Sequence, residues 1–150
     1  MHMHEAFVYL QLVPESALPD FSPPSAFRAV VICENQVSAE WQARVSEWLV
    51  RSGCLYMMAW GKNCSSWDDS VDFANLDLFD FKEIPDDKFV MTTWHEEETL
   101  ADVFWFCKNA AFHPTIERES TVLLHVSFEG NERALIDLYS ANEPSMGSDK

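Results

Sequence analysis

The chain has 150 residues, 47% of them hydrophobic, enough for one domain with a single core and too few to expect two. Its 25 acidic against 10 basic residues give a formal net charge of −15, which disfavours nucleic-acid backbones and anionic membrane surfaces and favours basic partners. No apolar run approaches the roughly 18 residues that span a bilayer, and the start MHMHEAF lacks a signal peptide's basic and apolar regions, so a cytoplasmic chain is expected.

Residues 7–13 (FVYLQLV) read as a strand at a sheet edge, followed by a proline-rich joint over 14–24 (PESALPDFSPP). Four units of strand, polar joint and helix come next. Residues 27–33 (FRAVVIC) are nearly continuously apolar, as a strand covered on both faces should be. After the joint Glu34-Asn35-Gln36, Ser38 is an N-cap residue, Trp41, Val45, Trp48 and Leu49 share a helical face, and Gly53 supplies the stop.

The second strand of the series, 54–60 (CLYMMAW), leads into Gly61-Lys62-Asn63-Cys64-Ser65-Ser66. Ser65 with Asp68 three residues later has the pattern of a capping box, which predicts a helix starting near Trp67. Residues 76–88, acidic and containing Pro85, read as a loop or broken helix. The third unit is 89–94 (FVMTTW), the joint WHEEET, and a helix with Leu100, Val103, Phe104 and Cys107 on one face, ending before Pro114. Here Glu96, Glu97 and Glu98 are expected in the first helical turn, where carboxylates interact well with the helix dipole. The fourth is 121–128 (TVLLHVSF), the joint Glu129-Gly130-Asn131, and a helix through Leu135, Leu138 and Tyr139. One domain is expected over 1–142, with a disordered polar tail at 143–150.

Alternating strands and helices of this length imply parallel pairing, because parallel neighbours need crossover connections. The expected architecture is a three-layer α/β/α sandwich with a mostly parallel, Rossmann-like sheet of four core strands and an N-terminal edge strand. In such sheets ligands bind at the carboxyl ends of the strands. The joints that reach that edge supply the candidate binding residues Glu34, Asn35, Lys62, Ser65, Asp68, Asp69, Glu96, Glu129 and Asn131. Trp60 and Trp94 end strands near the same edge, whereas Trp41, Trp48 and Trp105 have the spacing of core residues.

Several chemistries lack their signatures. With four glycines and neither GxGxxG nor GxxxxGK, no joint is built to wrap a pyrophosphate, and no nucleotide cofactor is expected. The GxSxG elbow of the α/β-hydrolases is missing, and the joints after the first and last core strands lack the acids and lysine of a phospho-receiver. His95-Glu96 begins an HExxH pattern, but position 99 is Thr, so no metal site is expected. The four cysteines form no CxxC pair and are expected to be reduced, with Cys33, Cys54 and Cys107 as buried apolar residues. His125 alternates with apolar residues and is expected to be a hydrogen-bonded histidine within the sheet. His113-Pro114 reads as a helix stop, and His2 and His4 carry no implied function.

Two readings of function remain. Between Lys62 and Asp102 twelve acids face three lysines, a local net charge of −9, which suits a non-catalytic acidic domain that binds a basic protein, as an inhibitor or immunity-type partner would. The alternative is a small hydrolase or transferase using Cys64 as nucleophile and His95 as base. Lys62 and a following helix N-terminus favour the Cys64 thiolate, while Asp68 and Asp69 oppose it.

Overall fold

The structure, a computed structural model, describes residues 7–23, 25–114 and 120–141. The tail expected to be disordered at 143–150, together with His2 and His4, lies outside these residues. Five strands, β1 (Phe7–Leu12), β2 (Phe27–Cys33), β3 (Cys54–Gly61), β4 (Met91–His95) and β5 (Ser120–Val126), form one all-parallel sheet in the order β1-β5-β2-β3-β4. Four helices, α1 (Ala39–Ser52), α2 (Cys64–Leu78), α3 (Leu100–Asn109) and α4 (Glu132–Ala141), complete a Rossmann-like α/β fold.

The two faces of the sheet carry separate cores because side chains alternate along each strand. Ala29, Val31, Met57 and Ala59 point to the layer of α1 and α2, where Trp41, Val45, Leu49, Trp67 and Val71 cover them. Val30, Ile32, Met58 and Leu123 point to α3 and α4, meeting Val103, Phe104, Leu135 and Tyr139. Fully burying a side chain of this size contributes roughly 1.5–3 kcal/mol, so the two cores dominate stability. Among its described residues the proline-rich joint has no helix of its own. It lies over the α1 face, where Trp41 donates its indole N–H to Ser16 C=O and Trp48 donates to Pro19 C=O.

Helix α1 begins at Ser38, whose Oγ accepts the Trp41 N–H, and ends at Gly53 with φ 107°. Arg28 is the one charged residue in the buried β2 strand. It donates to the carbonyls of Cys107 in the last turn of α3 and Ala111 just beyond it, and to Thr121 Oγ1, so a cation sits where a helix carboxyl end is negative.

Three local expectations are corrected. Helix α2 starts at Cys64, not near Trp67; Asn63 caps it in the left-handed region (φ 55°, ψ 36°) without a side-chain bond, and Ser65 lies inside the helix. Glu96, Glu97 and Glu98 precede α3 instead of forming its first turn, because Thr99 is the N-cap and its Oγ1 accepts the Asp102 N–H. Trp105 is on the outer face of α3 and 47% exposed, not in the core.

Candidate functional site

The strand order divides the joints at the carboxyl edge into two groups. From β2 the chain moves into α1 and on to β3 on one side; β5, on the other side of β2, leads into α4 on the opposite face of the sheet. The joints after β2 and β5 therefore diverge, leaving the crevice expected at a topological switch point. It is an open cleft of about 560 Å³ between Glu34-Asn35 and the segment from Ser127 to Asn131. Four of the residues expected from sequence, Glu34, Asn35, Glu129 and Asn131, meet here.

Beneath the cleft lies a buried polar chain. His125, with no exposed surface, places Nε2 3.3 Å from Glu34 Oε2, while its Nδ1 is 2.7 Å from the Tyr9 hydroxyl. The Tyr9 oxygen also accepts the Asn131 main-chain N–H at 3.1 Å. Burial raises the Tyr9 phenol, as do Glu132 and Glu34 nearby, against the lowering bond from Asn131, so the hydroxyl keeps its proton. The arrangement favours Tyr9 O–H donating to Nδ1, which places the imidazole proton on Nε2, facing the Glu34 carboxylate. Among the described residues Nε2 has no aligned hydrogen-bond partner despite that short separation. Gln11 closes the floor by donating to the Ser127 carbonyl. The sequence marks His125 as a bonded sheet histidine but carries no sign of Tyr9 or Gln11 beside it, because only the β1–β5 pairing brings them there.

The joints after β3 and β4 form the second group, and there Cys64 and His95 do not face each other. The thiol is buried in the α1–α2 layer, where desolvation raises it above the ordinary thiol value, partly offset by a main-chain bond from His95. The His95 imidazole packs on the other side against Phe106 of α3, with ring centroids 5.0 Å apart, and is held by Glu98 at Nδ1 and Thr93 at Nε2. The nucleophile and base expected of these two residues are thus a buried thiol and an imidazole occupied on both nitrogens. Lys62 and Glu96 are exposed, Ser65 is half-buried, and Trp60 donates its indole N–H to Glu98 C=O. No group of three residues able to hold a metal occurs among the described residues.

Asp68 and Asp69 lie instead on α2, which with β4 forms a third feature. A groove of about 380 Å³ runs between helix and edge strand, lined by residues including Asp72, Leu76, Ile84, Phe89 and Thr92. Asp72 accepts a bond from Thr92 Oγ1 at 2.9 Å, yet its carboxyl is raised by burial and further by Asp68 and Asp69. Asp68 Oδ1 is buried with no hydrogen-bond partner among the described residues. Around the groove Phe73 is 61%, Phe81 55%, Phe89 45% and Leu76 41% exposed. The Phe73 and Phe81 rings meet edge to face, and Phe81 N–H bonds the carbonyl of Leu76, which with Phe89 lines the groove. Asp80 and Phe81 both adopt positive φ (55° and 59°), an uncommon state for a bulky residue that here turns the chain sharply after α2. Asn75 fixes the far wall, donating to Lys88 C=O and accepting the Val90 N–H.

Architecture and strand-end cleft define an α/β domain of Rossmann-like type. The chain belongs to the family described as a domain of unknown function, DUF7684, which it matches over residues 7–142. No curated protein and no solved structure matches it.

Proposed function

We propose that this is a non-catalytic, acidic protein-binding domain that takes a basic segment of a partner protein onto the α2–β4 face, in the manner of an inhibitor or immunity-type protein. The observation that carries the reading is the coincidence of three exposed phenylalanines and Leu76 with a groove containing a carboxyl raised by burial and neighbouring acids. Large exposed apolar surface rimmed by charge is the usual mark of an interaction site, and aromatic anchors supply most of the affinity in such interfaces. The occupant follows from charge. Residues 68–88, which run through α2 and the turn into β4, carry Asp68, Asp69, Asp72, Asp77, Asp80, Glu83, Asp86 and Asp87 against Lys82 and Lys88, and an arginine or lysine entering beside Asp72 would relieve the repulsion from Asp68 and Asp69. No helix among the described residues is long and apolar enough to cross a membrane. The hydrolase or transferase alternative gains no support from the separated Cys64 and His95 side chains.

The test is titration of the full chain with two peptides of equal positive charge, one carrying leucines between its arginines and one with serines in their place. The leucine peptide should bind more tightly, lose affinity steeply with salt, and perturb amide signals along 72–92. Phe73→Ser with Phe81→Ser should abolish its advantage over the serine peptide. Equal affinities for the two peptides, or perturbations spread over the whole acidic surface, would leave only non-specific charge attraction and defeat the reading.

A further inference from the structure

We propose that the switch-point cleft between β2 and β5 is a binding site for a small organic cation, an alkylammonium or alkylguanidinium group held between the carboxylates of Glu34 and Glu129. This site lies on a different surface from the α2–β4 groove and does not depend on it.

The lining of the cleft sets the sign of the ligand. A strand-end cleft beside a helix N-terminus ordinarily suits anions, because free main-chain N–H groups point into it. Here three main-chain donors of the lining are taken. Glu34 N–H bonds the Val126 carbonyl, Glu129 N–H bonds Ser127 Oγ, and Asn131 N–H bonds the Tyr9 hydroxyl. The lining offers two carboxylates and no lysine or arginine among the described residues. The charged groups that line the cleft are therefore both anionic.

His125 supports the Glu34 side of the site from below. A wholly buried imidazole nitrogen with no aligned partner is costly unless it serves a neighbour, and this one stands 3.3 Å from Glu34 Oε2. With Nδ1 occupied by Tyr9, the Nε2–H steers that carboxylate from below while about half of the Glu34 side-chain surface stays open to the cleft. Such a buried support is what a preorganised ionic contact requires. On the rim Phe128 is 63% exposed, and its ring offers a face to a cation and apolar surface to its alkyl part. The cleft, about 560 Å³, accommodates a group of this size. His125 positions Glu34 and does not itself touch the ligand.

The experiment is amide-resolved NMR titration of the full chain with n-butylammonium and n-butylguanidinium, with butyrate, inorganic phosphate and Mg²⁺ each added alone in parallel. The expected result is saturable perturbation by the two cations confined to residues 34–35 and 127–131. Glu34→Gln should weaken binding by about tenfold or more, the scale of a hydrogen bond to a charged group. Glu129→Gln, which leaves the His125 contact intact, should also weaken it, and Asp72→Asn should leave it unchanged. The proposal is overturned if butyrate, phosphate or Mg²⁺ saturates the same residues. It is equally overturned if the cations perturb 68–87 as strongly, or if both glutamine variants bind as the parent does.

Discussion

Asp72 on α2 and Thr92 on β4 are joined by a 2.9 Å hydrogen bond, yet the carboxyl is raised above its ordinary value of 3.8 by burial and by Asp68 and Asp69. Because the folded-state value exceeds the unfolded one, ionisation of Asp72 opposes folding. Its effect is absent below the unfolded value, grows as pH rises through the folded value, and persists at neutral pH. Asp72→Asn keeps an acceptor for Thr92 and should raise the thermal midpoint at pH 7 while leaving it nearly unchanged at pH 3. The same substitution should weaken the basic peptide, so stability and binding would move in opposite directions. A midpoint lowered at pH 7 would show that the carboxylate is not under repulsion.

Glu15 supplies the opposite case. It receives both the N–H and the Oγ–H of Ser38, at 2.7 and 2.8 Å, closing the N-terminus of α1 from another part of the chain, and these bonds lower its carboxyl below the ordinary 4.5. Its stabilisation is present above that value and lost as pH falls through the folded-state value. Glu15→Gln should therefore destabilise at pH 7, with the difference from the parent vanishing in acid. Denaturation curves at three pH values decide it, and a difference independent of pH would contradict the assignment.

Gly61 has φ 103°, and a Cβ built there would lie 2.2 Å from the Cys33 carbonyl oxygen, whose position is fixed by the Lys62 N–H. Gly53 is also at positive φ, but its nearest neighbour would be 3.9 Å away. Gly53→Ala should cost about 1–2 kcal/mol, the strain of the left-handed backbone. Gly61→Ala adds a collision between main chains and should cost about 2–5 kcal/mol. Urea unfolding measures both, and equal losses would mean that β2 and β3 separate easily at this end.

The thiols offer a further check. All four are free and buried, and desolvation raises both Cys33 and Cys64. A thiol reagent at pH 7.5 should modify none of them rapidly in the folded protein and all four in denaturant. Rapid labelling of Cys64 alone would reopen a nucleophilic role for it.

Much of this fold is legible in the sequence where local and global signals agree. The strand at 27–33, the Ser38 cap, the Trp41–Leu49 face and the Gly53 stop are each visible because one physical rule governs each. The start of α2 was not legible, because Asn63 reaches the helix through a left-handed backbone and no side-chain bond, while Ser65 and Asp68 imitate a capping box. Glu34, Asn35, Glu129 and Asn131 could be placed at one edge by the strand-end rule alone. That they share a cleft, while Cys64 and His95 lie apart from it, depends on strand order. Tyr9 and His125, 116 positions apart, carry no local sign of one another.

The pairing of β1 with β5 has a consequence for how the chain is made. Among the described strands β1 has a single neighbour in the sheet, and that neighbour, opposite Phe7 at Thr121, is synthesised after all the intervening strands. Until then an apolar strand must wait without a partner, and neither the Tyr9–His125 bond nor the floor of the cleft can form. The nascent protein therefore completes this site only once β5 has emerged, and shielding of residues 7–12 by a chaperone until then would favour its yield.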